Sequence, residues 1–489
     1  MNSILSKEKK VTSLANIFKV TIIGALLGVW ITFAVDLLFV CILITIISLL
    51  ILKYFQLEER KFLIKIFFFA LFIRFSLASL YYFLSMSYGS GGDFFGDARI
   101  YSYNGLYIAR TILNTDPKGV IGSYQYAEIY KYIDYYFSEF KGALPSICWY
   151  SLRTTSVYSY FIGFLYMLFG YVPLMIKLLN SVFCVLAAIF IYAIVRDIFD
   201  INTARLSLLL VIFYPSLVFW SITGLKEAFI LFFISLFLWS TLKLQKVFKW
   251  LYLWLMVLSF LLLGLTRTAF FLPPALTGCF AVFLKLRTKS IRFISMSVAI
   301  IVLYSATFTP LGSYLRNLKD AAVSSIIYKQ VVSTYRGTTY RIYPERVYQK
   351  SNFNNFKIGF LEFVISYVKG MMHFLLEPFP WRISTRLQFI SFPQIILWYF
   401  LIPFTIKGIG IGLRYKPNEI STLIIFVFLV SSIYALTEGN IGTMFRHRDV
   451  VTPFYLVFGA AGIANLFFRK PPSKTKSERV DQDKILPDF

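Results

Sequence analysis

The chain has 489 residues, of which 58% are hydrophobic, a mean hydropathy of +0.69 and a formal net charge of +25. Apolar runs of about 18 residues or more recur along it without strand-like alternation, which excludes an ordinary soluble domain and a β-barrel and predicts an all-α polytopic membrane protein. Basic residues are scattered between these runs, which argues against nucleic-acid binding. The four cysteines have no paired spacing, so no disulfide framework is predicted. With two histidines in the chain, a histidine-built metal site is not predicted either.

About twelve apolar segments are long enough to cross a membrane. Their approximate bounds are 17–35, 37–55, 62–86, 173–195, 204–221, 225–244, 248–266, 269–285, 293–309, 387–406, 418–437 and 451–468. Two further segments, 154–170 and 359–376, are ambiguous, and counting both as crossings gives about fourteen.

The distribution of charge favours twelve crossings. With twelve, the basic connectors, 407–416 among them, all lie on one side, which the positive-inside rule makes cytoplasmic together with both termini. With fourteen, the basic stretches 243–249 and 285–292 would lie outside. We therefore predict an amphipathic interfacial helix over Phe356–Phe379 and a short or re-entrant helix over 154–170.

This topology divides the chain into five parts. They are an N-terminal helical hairpin (1–60), a transmembrane module (61–309) that includes a first outer loop (87–172), a second outer region (310–386), C-terminal helices (387–468) and a disordered cytoplasmic tail (469–489). Both outer regions contain amphipathic stretches, so we expect them to form small structured caps on the membrane face.

Two carboxylates, Asp93 and Asp97, lie at the start of the first outer loop, in the glycine-rich stretch 91–101. A carboxylate beside the bilayer is costly to desolvate, which suggests a function. We expect Asp93 in a turn and Asp97 as the N-cap of a helix. They could be ordinary loop carboxylates; alternatively, Asp97 is a catalytic base that deprotonates an acceptor hydroxyl, and Asp93 assists it or helps hold a divalent ion.

Basic side chains gather on the same predicted face, in turns between apolar segments. Such groups can neutralise a phosphate leaving group beside the membrane. The candidates for a donor phosphate site are Lys226, Arg267, Arg446, His447 and Arg448. The alternatives are an interfacial ion pair for Lys226 with Glu227 and snorkelling to lipid headgroups for Arg267.

Other polar and aromatic side chains near these groups are candidates for substrate contacts. An aromatic ring in the first loop can stack on a sugar, although most of the 33 tyrosines are expected in membrane packing and interfacial belts. The candidates are Tyr101, Glu227, Arg382, Glu438 and Asn440.

The motif Gly96-Asp97-Ala98-Arg99-Ile100-Tyr101 resembles the acidic motif in the first large outer loop of the GT-C membrane glycosyltransferases. These include the protein mannosyltransferases and the aminoarabinose transferases. The pieces 215–227 and 439–448 are similar to bacterial family-39-like or exopolysaccharide enzymes. The resemblance implies inverting transfer from a polyprenyl-phosphate-linked sugar, with Asp97 as the base. Some members bind a metal through a second acidic residue, but no matching His or DxD is present, so a divalent cation such as Mg²⁺ or Mn²⁺ stays open.

The leading hypothesis is a GT-C-type glycosyltransferase in a bacterial cytoplasmic membrane, with its active site facing outward. Its partners would be a polyprenyl-(pyro)phosphate sugar donor, a glycan, lipid or protein acceptor, and membrane lipids. One alternative is an O-antigen-type polymerase or ligase, which does not need a first-loop Asp. Another is a lipid-glycan flippase or transporter, which would need charged residues lining a path through the membrane.

Overall fold

The computed structural model describes residues 37–88, 92–115, 156–285, 323–335, 337–349, 358–383, 389 and 391–467. Within these ranges nearly all regular structure is helical, and the β structure consists of an isolated bridge between Thr339 and Asn440. The prediction of an all-α membrane protein is confirmed. The predicted segments 17–35 and 293–309 and the tail 469–489 lie outside the described residues.

The described residues before the second outer region form ten α-helices. They are α1 (Leu37–Tyr54), α2 (Leu57–Ser87), α3 (Gly96–Leu113), α4 (Val157–Phe169), α5 (Pro173–Ile198), α6 (Ile201–Phe213), α7 (Pro215–Ser221), α8 (Glu227–Lys246), α9 (Trp250–Thr266) and α10 (Leu272–Lys285).

Six helices follow in the rest of the described chain. They are α11 (323–333), α12 (Phe360–Leu376), α13 (Phe392–Tyr415), α14 (Pro417–Thr437), α15 (Ile441–Arg448) and α16 (Thr452–Phe467). The predicted basic connector 407–416 is wrong as a connector, because α13 continues through Tyr415.

Six helices of the described chain are long and apolar enough to cross a membrane, or eight if each of two bent pairs counts as one span. Helices α4 and α9 are apolar but shorter. The amphipathic helix predicted over Phe356–Phe379 is found as the shorter α12, which buries Ser366, Gly370 and Phe374 and leaves apolar side chains such as Phe360 and Leu361 exposed. Its position at the membrane interface stays a prediction. The total of about twelve crossings stays a prediction.

One bent pair joins α6 and α7 at an angle of 56°. Pro215 has no N–H to donate, so the helix breaks and leaves backbone groups that need other partners inside the protein. Arg74 from α2 donates to the Ile212 carbonyl (2.6 Å), and the Ser216 amide donates to Gln394 Oε1 of α13 (2.8 Å). Two distant spans therefore stabilise the break.

The second bent pair joins α15 and α16 at 59°. Asp449 lies in this break, is 3% exposed, and accepts a hydrogen bond from Trp220 Nε1 at the end of α7 (2.8 Å). Irregular backbone at membrane depth is tolerated where protein surrounds it, and such breaks commonly form binding sites. The two breaks meet through this contact.

Helix α3 packs across α4. A side chain at Gly163 would put its Cβ 3.0 Å from the Gly105 carbonyl oxygen, so glycine permits the close approach of the two helices. The buried face of α3 includes Ala98, Tyr103 and Leu106. This packing fixes the first turn of α3, which carries Asp97.

Basic residues Arg196 and Lys243 lie at the ends of α5 and α8 that are remote from Asp97. Asp197 pairs with both of them, at 3.3 Å and 2.6 Å. These basic residues lie together at one end of the helices, as the prediction that the basic connectors share one side of the membrane requires. Which end faces the cytoplasm stays a prediction.

Candidate active site

Asp93 lies in a turn before α3, as predicted, after Gly92 with φ of +78°. Its carboxylate is 3% exposed and fully bonded. Oδ1 accepts from the Tyr81 hydroxyl (2.6 Å) and the Phe95 amide (3.1 Å), and Oδ2 accepts from the Gly224 amide (2.8 Å) and pairs with Lys177 (3.3 Å). Asp93 therefore joins α2, α3, α5 and the turn before α8.

Asp97 lies in the first turn of α3 but is not its N-cap, which corrects the sequence prediction. Phe95 occupies the N-cap position, and the Asp93 side chain takes the Phe95 amide. The Asp97 side chain is 55% exposed and accepts a hydrogen bond from Arg446 Nη1 (3.1 Å). Of the two carboxylates, Asp97 is thus the one open to a substrate.

Arg446 connects Asp97 to a second carboxylate, Glu227. Its Nε lies 3.1 Å from Glu227 Oε1, although the N–H direction does not form a hydrogen bond. Glu227 is 5% exposed, and its Oε2 has no hydrogen-bond partner. Arg446 is largely buried, with 13% of its side chain exposed. The pair is therefore an electrostatic contact with unused hydrogen-bonding capacity on both partners.

A second chain of contacts runs through Arg267, between α9 and α10. Arg267 Nη2 lies 2.7 Å from His447 Nε2, and His447 Nδ1 lies 2.8 Å from Glu438 Oε1. Because Nδ1 donates to the carboxylate and the guanidinium has only donors, His447 is the neutral Nδ1–H tautomer. Arg267 Nη1 also donates to the Tyr434 hydroxyl (2.5 Å).

Lys226 lies between these two chains of contacts. Its Nζ donates to the Thr266 carbonyl (3.3 Å) and lies 5.1 Å from the centroid of the Tyr101 ring. Burial, reinforced by Arg267, lowers the pKa of Lys226 to about 7. Burial also raises the pKa of Tyr101, which stays protonated. Lys226 therefore gains or loses its charge near neutral pH.

The structure thus brings most of the candidate residues into one group, which we call the polar cluster. Its three basic side chains and three carboxylates roughly balance in charge. The members are Asp97, Tyr101, Lys226, Glu227, Arg267, Glu438, Arg446 and His447.

Three candidates make other contacts. Arg448 is 2% exposed and donates to the carbonyls of Phe374, Leu375 and Glu377 at the end of α12, its shortest bond being 2.7 Å. All three bonds come from Nη1, so this nitrogen stabilises the end of α12, and the phosphate role predicted for Arg448 stays a prediction.

Arg382 and Asn440 also serve local structure. Arg382 Nη1 donates to Glu377 Oε1 (2.9 Å), and the Asn440 side chain caps α15 by accepting from the Thr443 amide (3.0 Å). The substrate contacts predicted for them stay predictions.

Tyr434 was missed by the sequence analysis. Its ring stacks on His447, with centroids 4.8 Å apart, while its hydroxyl binds Arg267. Its position four residues before Glu438, one helical turn away at the end of a predicted span, was the available signal. Among 33 tyrosines that signal is weak.

The described residues contain no group of three or more His, Cys, Asp or Glu side chains that could hold a metal ion. The carboxylates nearest the reacting position, Asp97 and Glu227, share the guanidinium of Arg446, whose positive charge opposes a divalent cation. We therefore derive no step through a metal.

Residues 154–312 match the model of the dolichyl-phosphate-mannose-protein mannosyltransferase family, which belongs to the GT-C glycosyltransferases. The matched region, about a third of the chain, includes Lys226, Glu227 and Arg267 but neither Asp97 nor Arg446. No curated protein and no solved structure matches the chain. The match makes this part of the chain similar to the GT-C glycosyltransferases, and the apolar helices are those of a polytopic membrane protein.

Proposed function

We propose that this protein is an inverting glycosyltransferase that moves a sugar from a polyprenyl-phosphate-type lipid to an acceptor outside a bacterial cytoplasmic membrane. The observation that carries the proposal is the contact between Asp97 and Arg446. It places an exposed carboxylate beside a basic side chain that belongs to a group with Arg267 and Lys226. A base and a phosphate site at one position are what this reaction needs.

In the proposed reaction Asp97 takes the proton of the acceptor hydroxyl while that oxygen attacks the anomeric carbon. The bond from this carbon to the donor phosphate oxygen breaks, and the phosphate leaves with the electron pair. Arg446, Arg267 and Lys226 would neutralise the departing charge. Attack opposite to the leaving group inverts the anomeric configuration.

Arg446 would change partners during this reaction. In the structure its Nη1 donates to Asp97 Oδ2, so this guanidinium occupies one oxygen of the carboxylate. A donor phosphate competes for the same guanidinium, and bidentate binding of phosphate by Arg is strong. Donor binding would therefore release Asp97 to act as the base, which couples activation of the enzyme to the presence of donor.

His447 and Glu438 would act as positioning residues. The neutral imidazole accepts from Arg267 and so holds the guanidinium in one orientation, while Glu438 holds the imidazole. Their 5% and 8% exposure keeps water from competing for these bonds.

The alternatives have less support from the contacts. A polymerase or ligase would use the basic side chains but would leave the Asp97–Arg446 contact without a role. A transporter would need charges along a path, yet the buried mid-span Arg74 is used to stabilise the break at Pro215.

Product analysis tests the proposal. The purified protein in proteoliposomes is given polyprenyl-phosphate-mannose, the donor type that the matched family suggests, with a membrane glycan fraction as acceptor. We expect released polyprenyl phosphate and a new glycosidic bond of inverted configuration by NMR. A retained configuration, or movement of intact lipid-linked glycan without transfer, would overturn it. Adding EDTA tests whether transfer needs Mg²⁺ or Mn²⁺.

A further inference from the structure

A recess lies on the other side of the first turn of α3 from the Asp97–Arg446 contact. It is formed by the Asp93 turn, α3, α4, the start of α5 and the turn before α8. The side chains and backbone that carry the argument are those of Asp93, Arg99, Ser102, Tyr166, Lys177 and Gly224. The function proposed above does not use this recess.

Two cationic side chains face one carboxylate in this recess. Lys177 is 3% exposed and pairs with Asp93, whose oxygens are also bonded to Tyr81, Phe95 and Gly224. Arg99 is half-buried, and among the described residues its side chain has neither an ion pair nor a hydrogen bond. Its guanidinium offers five N–H donors, and no carboxylate of the described chain binds them.

Neutral hydrogen-bonding groups complete the lining. The hydroxyls of Ser102 and Tyr166 lie 2.7 Å apart and bond to each other, and together they can donate one further hydrogen bond into the recess. Gly224 leaves room there, because a Cβ on it would come within 2.9 Å of Asp93 Oδ2. A side chain at this position would therefore disturb the recess.

We propose that this recess binds an anionic group of the acceptor, a carboxylate or a phosphate. The proposal rests on the glycosyl transfer proposed above and adds the class of acceptor. A free guanidinium beside a buried lysine favours a small anion, and Arg binds carboxylate and phosphate in the same forked geometry.

The position of the recess favours the acceptor over the donor. Asp97 and Arg99 are two residues apart in one helical turn, so they project to nearly opposite sides of α3. An acceptor hydroxyl at Asp97 and a negative group at Arg99 would be separated by about the width of a helix, about 10 Å, which one or two sugar units span. The donor phosphate has its own cations on the Asp97 side, in Arg446, Arg267 and Lys226.

Anion binding can be measured without any transfer. The full-length protein in detergent is heated with D-glucuronate, inorganic phosphate or neutral D-glucose at matched ionic strength, and unfolding is followed by tryptophan fluorescence. We expect glucuronate or phosphate, but not glucose, to raise the unfolding midpoint by about 1–3 °C. The same titrations are run on Arg99→Gln, Arg446→Gln and the exposed control Arg341→Gln.

The variants separate the recess from the polar cluster. Binding in the recess predicts that the stabilisation is lost in Arg99→Gln and kept in Arg446→Gln and Arg341→Gln. Whichever of the two anions shows this pattern identifies the acceptor group as a carboxylate or a phosphate. Equal stabilisation of Arg99→Gln and wild type, or a loss confined to Arg446→Gln, would overturn the proposal. Because no sugar is transferred, a failure of the proposed enzyme function would leave this result interpretable.

Discussion

Asp93 and Asp97 are four residues apart, yet the structure gives them opposite properties. Asp93 is 3% exposed and bonded to three donors and a lysine, whereas the Asp97 side chain is 55% exposed and bonded to one arginine. A buried carboxylate whose oxygens all accept hydrogen bonds stabilises the fold. An exposed carboxylate that can still accept a hydrogen bond, beside cationic side chains, can take a proton from a substrate.

The same contrast separates Arg446 from Arg448, two residues apart on α15. Arg448 donates to three backbone carbonyls, while Arg446 contacts two carboxylates and leaves its Nε without a hydrogen bond. In each pair one member stabilises the fold and the other is available for chemistry. Exposure and unused hydrogen-bonding capacity, not charge, distinguish them.

The largest expected effect is on catalysis by Asp97. Asp97→Asn removes the proposed base, so kcat should fall by about 10²–10⁴-fold, while the unfolding midpoint should change little because the side chain is exposed. Transfer in proteoliposomes measures this. Asp200→Asn, at the N-cap of α6, is the matched control, since Asn caps a helix as well as Asp does. Retained transfer by Asp97→Asn would instead favour a polymerase or ligase.

Asp93→Asn should show the reverse pattern. Removing one partner of a buried ion pair leaves Lys177 uncompensated, which costs about 3–5 kcal/mol of the free energy of unfolding. Thermal unfolding in detergent should show a much lower midpoint, and the protein that remains folded should keep most of its activity per molecule. A variant as stable as wild type would contradict the structural role of Asp93.

The arginine pair should differ in its effect on rate, which is smaller than that of Asp97. Arg446→Gln should lower kcat by about 10²–10³-fold, as expected for a group that stabilises developing charge. It should also lower the unfolding midpoint, because it leaves the buried Glu227 carboxylate without its cation. Arg448→Gln should lower the unfolding midpoint, because the carbonyls at the end of α12 lose their donor. If Arg448→Gln reduced only the rate, the assignment of the two residues would have to be exchanged.

The smallest expected effect concerns pH and Lys226. With a pKa of about 7, Lys226 is protonated below neutral pH and loses its charge above it. A bound donor phosphodiester favours the protonated form, so KM for the donor should rise by about 3–10-fold between pH 6.5 and 8.5. Lys226→Arg keeps its charge over this range and should flatten the profile. An unchanged pH dependence in Lys226→Arg would assign the titration to another group.

Several parts of the architecture could be predicted from sequence because they depend on local pattern. The amphipathic helix predicted over Phe356–Phe379 is found as the shorter α12, Phe360–Leu376, and the spans near 173–195 and 418–437 were found with only small errors. The N-cap of α3 was assigned wrongly to Asp97. The Asp93 side chain accepts from the Phe95 amide, and the helix begins directly after Phe95. Helix-capping preferences of single residues do not include such a contact, because it depends on how the preceding turn is folded.

The candidate site shows the same division. Charged residues in turns between apolar segments drew attention to Lys226, Arg267 and Arg446, because charge is rare and costly beside a membrane. Tyr434 could not be distinguished from other aromatic residues, since its role comes from packing against Arg267 and His447 across 167 and 13 residues of chain. Contacts over such separations leave no local pattern.

The sequence by itself determined that the chain is a helical membrane protein and which polar residues lie between its spans, because the cost of placing charge and bare backbone in lipid acts locally. Only the tertiary structure decided that Asp97 and Arg446, 349 residues apart, touch, and that Asp93 and Arg448 do not join them. The breaks at Pro215 and Asp449, held together by Trp220, bring these segments together. Whether a charged side chain stabilises the fold or is available to a substrate depends on which hydrogen-bond donors and acceptors surround it.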